Sequence, residues 1–188
     1  MQALRGFESL PLRQPHKIQN IIRMHQVMCS AKCNLKISGN CVEVKAALKE
    51  TLMTNVLLGG CHCGAIRYEA KGDAITHALC HCTDCRRHAG APMVGWAMFL
   101  DGQIVITKGS TKTYKSSAHG RREFCCDCGT GLFYKNAEIL PGIIDIQTAT
   151  LDEPDKLPAR SQIQVAERIS WIAEAHKLPV FDRYPPHS

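Results

Sequence analysis

The chain has 188 residues, 45% of them hydrophobic, and a formal net charge of +6, enough for one domain with a real core and with no internal repeat to argue for more. No apolar run approaches the roughly 20 residues needed to cross a bilayer, and no apolar stretch follows the basic residues near the N-terminus. The expectation is a soluble, intracellular protein of cytoplasmic location with no membrane partner.

The charge is unevenly distributed. Residues 1–53 carry 8 Lys and Arg against 3 Asp and Glu, whereas residues 54–188 carry 15 against 14. Basicity therefore belongs to the first segment, read here as an N-terminal extension that is either dispensable or the product of a start assigned too far upstream. Any nucleic-acid contact is expected to be weak and confined to that extension. Cys29, Cys33 and Cys41 fall within it at loose spacing that suggests no site, and a short helix-compatible stretch runs around Val42–Leu52. The working domain is 54–188, opening at Thr54-Asn55-Val56-Leu57-Leu58-Gly59-Gly60.

From there short β-type runs alternate with turn residues. Expected strands are Ala65–Glu69, Ile75–Cys80, Met93–Leu100, Ile104–Thr107, Thr111–Lys115, Arg121–Cys125, Leu132–Tyr134 and Ile143–Thr148. The breaks at Lys71-Gly72-Asp73, Asp101-Gly102, Lys108-Gly109-Ser110 and His119-Gly120 supply hairpin turns. Small helical pieces are expected near Asp84–Ala89 and Ala166–Ala175. The fold class is mainly β, built of short antiparallel sheets.

Seven of the eleven cysteines fall into three clusters, Cys61-x-Cys63, Cys80-x-Cys82-x-x-Cys85 and Cys125-x-x-Cys128. An odd number of cysteines fits a disulfide framework poorly, while thiols in a reducing compartment remain available as metal ligands. Seven is one short of two tetrahedral sites. Structural zinc takes four protein ligands, and catalytic zinc keeps three with an open position. The economical partition gives Cys61, Cys63, Cys125 and Cys128 to a structural zinc and Cys80, Cys82 and Cys85 to a catalytic one. Spacing alone leaves open a swap of the pairs, or completion of the second site by His62, His77, His81 or His88. His62, Asp84 and Asp127 stand beside ligands as candidate hydrogen-bond partners, or as turn and surface residues.

Gly129 after the last pair allows the tight turn of a zinc knuckle, whereas Arg86 follows Cys85. Three thiolates leave zinc a formal charge of −1, which suits capture of a soft thiol better than hydrolysis. Arg86 and Arg87, with His88 beside them and Arg121 and Arg122 before the knuckle, either bind a substrate's carboxylates or offset thiolate charge. Cys126, inside the knuckle, reads as an inert extra thiol.

The motifs Gly59-Gly60-Cys61-His62-Cys63-Gly64, Cys80-His81-Cys82-Thr83-Asp84-Cys85-Arg86 and Phe124-Cys125-Cys126-Asp127-Cys128-Gly129-Thr130 make the chain resemble the glutathione-dependent formaldehyde-activating enzyme family. That family's domain is shared with centromere protein V. The resemblance runs from about Val56 to Tyr184, taking in Thr150-Leu151-Asp152-Glu153-Pro154 and Trp171…Leu178-Pro179-Val180-Phe181. It implies an Mss4-like fold, a structural zinc at Cys61, Cys63, Cys125 and Cys128, and a catalytic zinc at Cys80, Cys82 and Cys85. It also implies a carbon–sulfur lyase activity in which glutathione condenses with formaldehyde to S-hydroxymethylglutathione, basic residues holding glutathione's carboxylates. The competing expectation is a non-catalytic zinc scaffold or interaction module of the centromere protein V type.

Overall fold

The computed structural model describes residues 55–185. The extension 1–53, with its three cysteines and helix-compatible stretch, lies outside them.

Ten strands form two sheets. β1 (Val56–Gly60), β2 (Arg67–Lys71) and β5 (Ile104–Lys108) make a three-stranded sheet in the order β1-β2-β5. The larger sheet adds β3 (Thr76–Cys80), β4 (Val94–Leu100), β6 (Lys112–Lys115), β7 (Gly120–Phe124), β8 (Gly131–Asn136), β9 (Ile143–Gln147) and β10 (Ser161–Ile163), in the order β10-β3-β4-β9-β8-β7-β6. Every pairing is antiparallel except that of β10 with β3. A single α-helix among the described residues, α1 (Thr83–Ala89), follows β3. The mainly β expectation therefore holds, as do all eight expected strands to within a few residues.

Two strands escaped the sequence reading. In β1, Leu57 packs in the core, but the glycines at 59 and 60 carry little strand propensity. Gly59 is required by contact: a Cβ there would meet the Tyr68 ring at 2.4 Å and the Thr150 carbonyl at 2.8 Å. β10 has only three residues, all exposed, and exists because β3 offers it an edge. The helix expected over Ala166–Ala175 is instead two 3-10 stretches, Val165–Glu167 and Ser170–Lys177, neither of which buries a residue. Without an apolar stripe to dock, nothing favours a regular α-helix there.

Period-two alternation divides the large sheet into two faces. Ala97 and Phe99 of β4, Phe133 of β8, and Ile144 and Ile146 of β9 join Leu57, Ile66, Tyr68 and Ala70 from the small-sheet side in the main core. Tyr68 meets Phe133 edge-on, with centroids 5.1 Å apart. The other face carries Val94 and Trp96 of β4, against which Cys80, Cys85 and Tyr134 pack. Among the described residues no helix is long and apolar enough to span a membrane.

Phe99 is fully buried at the centre of this core. Phe99→Ala is expected to lower unfolding free energy by about 3–5 kcal/mol, read as a reduced midpoint in denaturant. A loss under about 1 kcal/mol would mean that the two sheets do not share this core.

Candidate metal centres

Two loops build the four-sulfur centre. Cys61 and Cys63 follow β1, and Cys125 and Cys128 follow β7. Each second cysteine precedes a glycine with positive φ, Gly64 at 73° and Gly129 at 76°, where a side chain would be strained. Backbone hydrogen bonds Gly64 N–H to Cys61 O (3.0 Å) and Gly129 N–H to Cys125 O (2.9 Å) close the two turns. Register shifts at Arg67/Tyr68 and Glu123/Phe124 bend the neighbouring strands as the loops depart. The loops are tied to each other through Thr130, whose hydroxyl accepts from His62 N–H at 3.2 Å and lies 3.2 Å from Cys128 Sγ.

The four sulfurs lie within 4.8 Å of one another, with Cys61–Cys63 at 3.5 Å and Cys63–Cys125 at 3.8 Å. A regular tetrahedron of sulfurs at zinc–sulfur distance has edges of about 3.8 Å, so the donor set fits such an ion. Ile66 N–H donates to Cys61 Sγ at 3.2 Å. The hydroxyl and N–H of Thr130 hold the Cys128 thiol down to about 5.

Cys80, Cys82 and Cys85 form the second set, again within 4.8 Å of one another. Cys80 ends β3, Cys82 caps α1 and accepts from Cys85 N–H at 3.3 Å, and Cys85 is buried in the helix's first turn. The helix stops at Gly90, whose φ of 62° permits the reversal. No histidine joins either set among the described residues. His81 is fully buried with Nε2 2.9 Å from Gln162 Oε1, and His77 pairs with Thr148 at 3.0 Å. All eight described cysteines are free thiols; the eighth, Cys126, is exposed and donates to Asp127.

Charge in the three-sulfur set gathers on Cys85. Hydrogen bonds from Cys80 and Cys82, opposed by burial and then aided by Arg122, hold its thiol down to about 2, while Cys82 and Cys85, followed by burial, push Cys80 up. Trp96 Nε1 donates to Cys85 Sγ at 3.3 Å, and both Arg122 terminal nitrogens lie within 3.9 Å of it. Arg122 is buried and stacks 5.0 Å from the Tyr134 ring centroid. The sequence presented Arg122 as a neighbour of the knuckle; β7 turns it instead toward the other cluster. Trp96, Tyr134, Asp145 and Gln147 share that cluster's face of the sheet and went unnoticed in the sequence, whereas His88, singled out there as a possible ligand, lies one turn beyond Cys85 on α1 without joining the set. The available signal was strand alternation, which places Trp96 on the face opposite Ala97 and Phe99.

Of the two arginines after Cys85, Arg86 donates to His81 O at 3.1 Å, Thr83 Oγ1 at 3.2 Å and Glu167 O at 3.3 Å. The Glu167 carboxylate accepts from Thr83 N–H at 2.8 Å, so the C-terminal segment is pinned to the start of α1. Arg87 is exposed and lines, with Gly90, Pro92, Ile169 and Trp171, an open depression of about 290 Å³.

A family model described as "Glutathione-dependent formaldehyde-activating enzyme" matches residues 56–167. An uncharacterized lyase of Schizosaccharomyces pombe is 29% identical over 111 residues, covering 52% of this chain and 80% of its own. A Halomonas elongata protein whose name carries the same glutathione-dependent formaldehyde-activating description is 24% identical over 127 residues, covering 62% of this chain and 80% of its own. A crystal structure of a Rhodobacter sphaeroides protein aligns with 56% of this chain and 98% of its own at 21% identity, with a TM-score of 0.46.

Burial, followed by the charge on Cys85, pushes the Asp145 carboxyl up to about 7. Between about pH 4, where the unfolded carboxyl ionises, and about pH 7, the folded chain holds the extra proton, so this residue makes stability fall as pH rises. Asp145→Asn is expected to flatten that fall by up to about 4 kcal/mol across the interval, measured by denaturant unfolding at several pH values. An unchanged slope would show that Asp145 ionises normally in the fold.

Proposed function

Because this chain belongs to the glutathione-dependent formaldehyde-activating enzyme family, we propose that it is a zinc-dependent carbon–sulfur lyase that joins the thiol of glutathione to formaldehyde beside Cys80, Cys82 and Cys85. The observation that carries the reading is the unequal donor count of the two sulfur sets, four in one and three in the other. Four thiolates close a tetrahedral site, so Cys61, Cys63, Cys125 and Cys128 would hold a structural zinc. Cys80, Cys82 and Cys85 would hold a second zinc, which when bound supplies an open position for a soft thiol.

The surrounding residues support that chemistry. Trp96 and Arg122 fix the Cys85 sulfur from two sides. Arg122 also places a buried positive charge where anionic sulfur gathers, which favours a thiol entering as thiolate. Burial and then Arg122 push the His88 imidazolium's pKa down, so the ring is neutral near pH 7 and adds no charge of its own. Arg87, at the edge of the depression shared with Trp171, would take a carboxylate of glutathione, with Arg86 adding charge at the same rim. The reaction consumes thiol and aldehyde alone: a C–S bond forms, and the proton lost by sulfur is balanced by one gained on oxygen.

The purified chain is expected to contain two zinc ions. Cys63→Ser should lose the fold together with its metal, since structural sites contribute on the order of 10 kcal/mol to small domains. Cys85→Ser should remain folded, retain one tightly held zinc and lose adduct formation. Metal analysis alongside thermal unfolding checks both variants; equal loss of structure would favour the non-catalytic scaffold.

A further inference from the structure

Buried polar atoms in folded proteins nearly always have partners, and an exception calls for a bound molecule or a function. Five buried side-chain atoms of the described residues have none: His77 Nδ1, His81 Nδ1, His88 Nε2, Asp145 Oδ1 and Gln147 Nε2. Three of the five belong to the face that carries Cys85. β9 places Asp145 and Gln147 there because their neighbours Ile144 and Ile146 point into the main core. Gln147 stands opposite Trp96, the donor to Cys85 Sγ, and Asp145 stands between Met98 and Tyr134. His88 lies three residues beyond Cys85, one turn along α1 on the same side.

Gly131 shows how close His88 and Gln147 are. A Cβ there would lie 2.4 Å from Gln147 Nε2 and 3.2 Å from His88 Nε2. The glycine makes room for those two groups, and each brings an unpartnered polar atom to the face that carries Cys85. Two unpartnered nitrogens brought together in this way suit a small oxygen acceptor.

We propose that Gln147 and His88 form the subsite for the oxygen of the aldehyde, with the Gln147 amide as hydrogen-bond donor. This rests on the lyase reading above and extends it to the second substrate. In the addition, a sulfur electron pair forms the C–S bond and the carbonyl π pair moves onto oxygen. That oxygen takes one proton, matching the one given up by the thiol, so no further reactant is required. A donor fixed at the oxygen stabilises the charge as it develops, and the surrounding side chains cost no reorganisation.

Gln147→Met keeps the side-chain length and removes the amide. Initial rates are measured with glutathione and formaldehyde varied separately, and glutathione binding is followed by calorimetry in the absence of aldehyde. The variant is expected to lose about 100-fold in kcat/KM for formaldehyde, with zinc content and glutathione affinity unchanged. Gly131→Ala, whose methyl displaces Gln147 without deleting a polar group, should shift the same parameter in the same direction. Unchanged formaldehyde parameters, or a parallel loss of glutathione affinity as expected of a purely structural His88–Gln147 pair, overturn the subsite. Absence of glutathione binding or of adduct formation by the unaltered protein overturns the lyase reading itself, and the subsite with it.

Discussion

Sulfur atoms held within 4.8 Å of one another cannot all carry their own negative charge without a cation between or beside them. This constraint organises the domain at both cysteine sets. In the four-sulfur set backbone and Thr130 donors contribute, and a metal ion at the centre of the sulfur tetrahedron would meet the rest. In the three-sulfur set, Arg122, Trp96 and the N-terminus of α1 add positive charge or donors from the protein itself. The two sets have the same sulfur chemistry but different donor counts and surroundings, and the proposed division between a structural and a reactive site rests on that difference.

The four-sulfur set also joins the sheets. Cys61 and Cys63 leave the end of the three-stranded sheet, whereas Cys125 and Cys128 lie between β7 and β8 of the seven-stranded sheet. Closing a loop of this length costs only a few kcal/mol of chain entropy, less than a structural zinc contributes. The main core lies against one face of the large sheet, which leaves the opposite face for α1 and the three-sulfur set. A single strand such as β9 serves both: Ile144 and Ile146 pack the core while Asp145 and Gln147 lie on the face that carries Cys85.

Much of this was legible in the residues. The glycine after Cys128 announced a tight turn, and alternating hydrophobic runs placed eight strands. Residues joined by long-range register were harder to anticipate. Nothing local connects Gln147 with Trp96, or Arg122 with Cys85; their proximity arises only when β4, β7, β8 and β9 align. Arg122 was visible as a cation, yet its sequence neighbour was the wrong cluster. β1 was hidden by Gly59 and Gly60, residues of low strand propensity that stand where a Cβ would meet the Tyr68 ring and the Ile66 carbonyl, respectively. The C-terminal helical reading gave way to 3-10 turns in which no residue is buried in the core.

The central claim is that the second zinc has three protein sulfurs and one position open to a thiol. Zinc-edge X-ray absorption on the two-zinc protein tests it directly, before and after saturation with glutathione. Seven cysteine sulfurs shared by two ions give an average of about 3.5 sulfurs per zinc, and one added thiol raises it to about 4. A count already at 4 without glutathione, or one that stays near 3.5 at saturation, would contradict the account.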